Sequence, residues 1–183
     1  MRPEDVIAID FQGHMVEGTG IPPREWIIHT TIHAARPELA AVIHTHPNYA
    51  TCLGIAGVPI VPVYQHGAAL EREVPVYDDA DLITTPEQAQ VMLSCLGEAR
   101  LLELRGHGSV VAGRTMEEAF ALAVILEENA RKQLQAHLVG QPRRLRQDEL
   151  DRLLAGTINQ RLFESFWRYY RLHRKLGFEF SES

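Results

Sequence analysis

Residues 39–46 read Leu-Ala-Ala-Val-Ile-His-Thr-His. A short apolar run, bounded by Pro37 before it and Pro47-Asn48 after it, is the pattern of a buried strand that ends in polar residues. Side chains two apart on a strand share a face, so His44 and His46 leave the strand end together. Before this strand, residues 24–35 are helical in pattern. Pro23 suits a first helical position and Pro37 stops the helix. Trp26, Ile27, Thr30, Thr31 and Ala34 fall near one stripe, and Glu25, His29 and His33 fall on another at i, i+4 and i+8. Further upstream, residues 5–16 alternate as a hairpin that turns at Gln12-Gly13-His14.

Downstream, residues 49–56 form a short apolar helix. Residues 58–64 are β-rich but broken by Pro59 and Pro62, which predicts an edge strand or an extended loop. Residues 74–77 are a further extended piece. Thr85-Pro86-Glu87-Gln88 is a helix start with a capping box, and Gly97 closes that helix after Leu96. Residues 101–104 are a buried strand, Gly106-His107-Gly108 a tight turn, and residues 109–112 the return strand. Thr115 and Glu118 make a second capping box for a helix reaching about Leu138. Residues 149–154 and 160–175 are two more helices, the last rich in aromatic residues and suited to core or subunit packing, or to a lid over a site. Antiparallel-leaning strands mixed with helices predict an α/β fold with helices on both faces of one sheet.

The composition agrees with this. The chain has 183 residues, 45% hydrophobic and 23% charged, which excludes a disordered or collagen-like protein and predicts one domain over residues 1–183. Eighteen basic residues against twenty-four acidic ones give a net charge of −6, which argues against a nucleic-acid partner. Cys52 and Cys95 lie far apart, form no CxxC, and are expected to be small buried hydrophobes. The N-terminus has no basic segment followed by an apolar run, and no apolar run is long enough to span a membrane, so a cytoplasmic protein without a membrane partner is expected.

Nine histidines are the unusual count. Two imidazoles at one strand end can bind one metal ion, although two hydrogen-bonded histidines would read the same way. His107, between two glycines, offers a third ligand, and three protein ligands leave a position open for substrate or water. Glu25, early on its helix, is a fourth ligand or a general acid/base, or else simply a glutamate favoured by the helix dipole. His29 and His33 offer a rival metal face with Glu25, and His29 alone could hydrogen-bond Glu25. Tyr64, His66 and Tyr77 lie in proline-interrupted segments of the kind that carry function.

These pieces together resemble the class II aldolase/adducin family. The resemblance rests on Glu25 in PPREWIIH, on ARPELAAVIHTHP (35–47), and on LLELRGHGSVVAG (101–113) followed by EEAFALAVILEENA (117–130). It implies a three-layer α/β/α sandwich around a mostly antiparallel sheet. It also implies one divalent metal ion per chain held by His44, His46 and His107, with Glu25 as acid/base and at times a ligand. Zinc or manganese leads among the ions, with cobalt or iron also suited. Family members are commonly homotetramers with sites at subunit interfaces.

Arg24 before Glu25, PVYQHGA (62–68), VPVYDDADLITT (74–85) and FESFWRYY (163–170) resemble the branch that decarboxylates hydroxylated aromatic or carboxymuconic-semialdehyde-type acids. On that resemblance the function is metal-dependent, non-oxidative decarboxylation of a small carboxylic acid. Arg24 and His29 would bind the substrate, and Glu25, Tyr64 or His66 would move the proton. An aldolase or epimerase acting on a hydroxy-ketone is the other reading. Family members carry an additional N-terminal part with a Gly-Asn-x-Ser-type turn. That motif is absent here, so either the chain is N-terminally shortened or its substrate is anchored differently.

Overall fold

A computed structural model describes residues 5–175. Its elements, in chain order, are β1 (Ala8–Ile9), β2 (Met15–Glu17), α1 (Trp26–Ala35), β3 (Ala41–Thr45), α2 (Asn48–Ile55), a 3-10 helix (His66–Leu70), β4 (Val76–Tyr77), α3 (Pro86–Leu96), β5 (Leu101–Leu104), β6 (Gly108–Gly113), α4 (Met116–Val139), α5 (Gln147–Gly156) and α6 (Gln160–Lys175). The main sheet runs β3-β6-β5-β4. Its β3–β6 and β5–β6 pairs are antiparallel and its β4–β5 pair is parallel. Strands β1 and β2 form a separate antiparallel hairpin.

Register decides which side chains face which layer. His44 lies opposite Val110, and Leu102 lies opposite the same Val110. That face joins Val42, Leu102, Leu104, Val110 and Ala112 to Ile28 and Ile32 of α1 and to Ala89 and Met92 of α3. The other face carries Leu101 and Val111 against Leu53 of α2 and Leu122, Ile125 and Leu126 of α4. Each fully buried Leu or Ile stabilises the fold by about 1.5–3 kcal/mol through area removed from water. Helices therefore cover both faces of one mostly antiparallel sheet, as the patterning predicts.

Several local expectations change in the folded chain. Helix α1 begins at Trp26, with Glu25 as its N-cap residue rather than inside its first turn. The capping box at Thr85 and Gln88 forms in full. The one at Thr115 forms by half: its hydroxyl accepts the Glu118 N–H, but the Glu118 carboxylate pairs with Arg100 and accepts the Arg114 N–H. A partly buried arginine needs that partner more than a helix end does. Residues 58–64 form no strand. The amides of α4 take the place of a neighbouring strand: Gln133 accepts from Val61 N–H and donates to the Pro59 carbonyl, and Asn129 accepts from Val63 N–H and donates to the Val61 carbonyl. Cys95 packs against the α1/α3 core, whereas Cys52 is exposed on α2, contrary to the expectation of a buried thiol. In α6, Phe163 is buried and Trp167 and Tyr170 pack edge-on against Phe120 of α4, while Tyr169 is exposed. Among the described residues, no helix is long and apolar enough to cross a membrane.

Candidate functional site

Each residue of the site is aimed by a local device. His44 sits on β3, and His46 follows two residues later on the same line. The chain turns sharply after them because the Glu127 carboxylate, on α4, accepts the backbone N–H groups of Tyr49 and Ala50. These are free donors of α2's first turn, so Glu127 caps α2 from outside. His107 stands in the turn between β5 and β6, where Gly106 adopts φ +69°. Gly108 lets the strands close around the site. A Cβ there would lie 2.4 Å from the Thr45 carbonyl oxygen and 2.6 Å from Cδ2 of His46.

The three imidazoles form a near-equilateral triangle, with ring centroids 4.9, 5.0 and 5.1 Å apart. Glu25 closes it. Its Oε1 accepts the Ile83 N–H at 2.9 Å, and its Oε2 lies 3.4 Å from Nε2 of both His44 and His107. One ligand atom from each of Glu25, His44, His46 and His107 lies within 4.8 Å of the others.

The electrostatics suit a cation. His44 Nδ1 is hydrogen-bonded to the Ser109 carbonyl at 3.2 Å. A carbonyl only accepts, so Nδ1 carries the hydrogen and Nε2 presents its lone pair to the site. Burial holds the His44 pKa below the ordinary histidine range, against the opposing pull of the Ser109 carbonyl and Glu25. Nε2 of His44 and both ring nitrogens of His107 are buried without a hydrogen-bond partner. Leaving such atoms unpaired costs about 1–3 kcal/mol each, and a bound cation would recover that for the nitrogens turned to it. Neutral imidazoles with one carboxylate are donors that suit first-row divalent metals. The four residues fit such an ion.

The remaining candidates lie elsewhere. His29 is one turn beyond Glu25. Burial, and then the nearness of His44, hold its pKa down. With Ile9, Phe11, Trp26 and His33 it lines a cavity of about 360 Å³ between the hairpin and α1. His33 is tied through Nδ1 to the Leu39 carbonyl at 2.9 Å, and the rival histidine face does not come together as a metal cluster among the described residues. Arg24 is exposed in the turn before α1. Tyr64 donates its hydroxyl to Glu128 at 3.1 Å and lies under the Lys132 ammonium, 4.3 Å from the ring centroid. His66 packs edge-on against Tyr64 and Phe166. Glu128 and Lys132 belong to α4, so within one chain Tyr64 and His66 stand on the opposite side of the sheet from the imidazoles. Burial and then Glu128 raise the Tyr64 pKa, which keeps the phenol protonated.

Sequence reasoning passed over Glu103, Ser109 and Glu127. The one visible signal was a charged residue between leucines in Leu-Leu-Glu-Leu.

Known proteins are similar to this chain in sequence and in fold. Over 155 residues the chain is 32% identical to the 5-methylthioribulose-1-phosphate/5-deoxyribulose-1-phosphate aldolase of Rhodospirillum rubrum, covering 84% of this chain and 69% of that protein. It is 33% identical over 124 residues to the 3,4-dihydroxyphthalate decarboxylase of a Terrabacter species, covering 65% of this chain but only 52% of that enzyme. A solved L-fuculose 1-phosphate aldolase superposes with a TM-score of 0.74 at 25% identity, over 84% of this chain and 72% of that one. Residues 1–134 match the model of the class II aldolase and adducin N-terminal domain, and the chain belongs to that family.

Proposed function

We propose that the chain is a divalent-metal-dependent lyase, and that it decarboxylates a hydroxylated aromatic or 2-hydroxymuconate-type carboxylic acid without oxidation. The observation that carries the reading is the convergence of Glu25, His44, His46 and His107, with unpartnered buried imidazole nitrogens turned toward one another. The resemblance to a 3,4-dihydroxyphthalate decarboxylase supports the choice of reaction.

In this reading His44, His46 and His107 would hold the metal, and Glu25 is the carboxylate that stands beside them. A bound divalent ion supplies Lewis-acid stabilisation of the negative charge left when carbon dioxide departs. Glu25, fixed by the Ile83 N–H through one oxygen, keeps the other free to hold or deliver the proton that replaces the carboxylate. Arg24, exposed beside Glu25, pairs with a substrate carboxylate through its planar fork. His29 borders the apolar cavity and supplies a hydrogen bond to the substrate. Tyr64 and His66 serve as proton donors of a neighbouring chain in a homotetramer whose sites lie between subunits. Because the Tyr64 phenol is held protonated, it meets the substrate as a hydrogen-bond donor and not as a base.

The test is carbon dioxide release from a panel of ortho-hydroxy aromatic acids and 2-hydroxymuconate-type acids, with zinc, manganese, cobalt or iron supplied. Release that disappears in His46→Ala supports the reading, and no release by a folded, metal-loaded protein sinks it. The second reading is an aldolase or epimerase acting on a hydroxy-ketone, favoured by the resemblance to an aldolase over 84% of the chain. Cleavage of a hydroxy-ketoacid without carbon dioxide would select it.

A further inference from the structure

On the face of the sheet opposite the imidazoles, a carboxyl group is buried with no role in the reading above. Glu103 on β5 is 1% exposed and lies directly across from Ser109 on β6, which is fully buried. The Ser109 hydroxyl donates to Glu103 Oε2 at 2.6 Å. The other carboxyl oxygen has no partner, and α2 presses on it at Gly54, where a Cβ would approach Oε1 to 2.9 Å. The flanking residues of this face, Leu101 and Val111, are apolar, so a carboxyl here is costly unless it does something. Burial raises its pKa to about 7, with the Ser109 hydroxyl opposing the shift.

Ser109 connects this group to the site. It pairs with Glu103 on one side and with Thr45 on the other, and its carbonyl accepts from Nδ1 of His44. It is also two residues from His107. A hydroxyl anchored to β5 fixes the backbone of residue 109, and with it the carbonyl that sets which nitrogen of His44 carries the hydrogen. We propose that Glu103 is a positioning residue of the metal centre, holding Ser109 so that its carbonyl fixes the tautomer and aim of His44. Metal-ligating histidines owe their orientation to such outer partners. The proposal rests on the reading of His44, His46 and His107 as metal ligands.

Two measurements on the full chain test it. Zinc affinity, by chelator competition, is compared among wild type, Glu103→Gln, Glu103→Leu and Ser109→Ala. The state of His44 in the metal-free proteins is read from imidazole nitrogen-15 shifts. Loss of the outer hydrogen bond should weaken zinc binding about 10-fold or more in Glu103→Leu and Ser109→Ala and populate both tautomers of His44. Glu103→Gln keeps an accepting oxygen and should retain the wild-type affinity and a single Nδ1–H tautomer.

Folded Glu103→Leu and Ser109→Ala proteins with wild-type affinity and tautomer would overturn the proposal. So would a Glu103→Gln defect as large as that of Glu103→Leu. If Glu103→Leu fails to fold, Ser109→Ala, which removes one hydroxyl, carries the test. If the wild type takes up no zinc, the metal reading has failed, and the tautomer measurement alone decides the positioning role. A second tautomer in Ser109→Ala would then support it, and an unchanged His44 would end it.

Discussion

A methyl group at residue 108 would have to share space with the Thr45 carbonyl and the His46 ring. Gly108→Ala is therefore expected to destabilise the protein by about 1–3 kcal/mol and to push His46 out of the triangle. Urea denaturation and zinc titration check the two effects separately. Glu103 gives a pH dependence with a definite sign. Its folded pKa, about 7, lies above its ordinary value of 4.5, so the folded chain binds the proton more tightly than the unfolded one. The contribution is full below pH 4.5 and is lost as pH rises through 7, by roughly 3 kcal/mol in total. The metal-free wild type should lose stability between pH 4.5 and about 7 relative to Glu103→Gln, as denaturant midpoints would show. That His44, His46 and His107 could come together was legible, because His-x-His on a strand end and Gly-His-Gly at a turn are local patterns, whereas Glu25 stood out from an ordinary helix-start glutamate only through the family resemblance. Glu103 was not. Its meaning depends on the register that sets it opposite Ser109 and on α2 closing over it, and neither is written in the neighbouring residues.

Helix α4 does more than bury an apolar stripe. Asn129 and Gln133 satisfy the backbone of residues 59–63 as a strand partner would. Asn129→Ala would orphan the Val63 N–H and the Val61 carbonyl and is expected to cost about 2–4 kcal/mol. Hydrogen exchange at the Val63 amide, now held by that side chain, should rise with it. The prolines in 58–64 correctly left open a loop in place of a strand. What could not be read was that two amides 66 to 74 residues away would replace the missing ladder, since in sequence they look like ordinary polar positions of a helix. The capping signals divided in the same way. The Gln88 side-chain oxygen accepts the N–H groups of both Thr84 and Thr85, no ion pair among the described residues draws it away, and the box forms. Glu118 has Arg100 nearby in space, and the tertiary ion pair wins.

For the molecule as a whole, a ligand that binds only the folded state stabilises it by mass action. At 100 times its dissociation constant, zinc or another suited divalent ion should add about 2.7 kcal/mol, a rise of roughly 5–10 °C in Tm for a chain of this length. Thermal melts with metal and with chelator check this, and His46→Ala should show no rise. The layers were foreseeable from the alternation of strand and helix patterns, and helices lie on both faces because β5 and β6 are buried along their whole length. Strand order was not foreseeable. The place of β4 at the edge, parallel to β5, comes from a two-residue strand too short to announce itself.

The sheet also keeps Tyr64 and His66 apart from the imidazoles of their own chain. On the assembly proposed above, catalysis is then a property of the junction between two chains, not of either one. Two inactive variants, His46→Ala and Tyr64→Phe, should complement each other when co-expressed, because a mixed oligomer contains junctions that draw an intact metal triangle from one parent and an intact phenol from the other. Specific activity of the wild type should likewise fall on dilution as the junctions come apart.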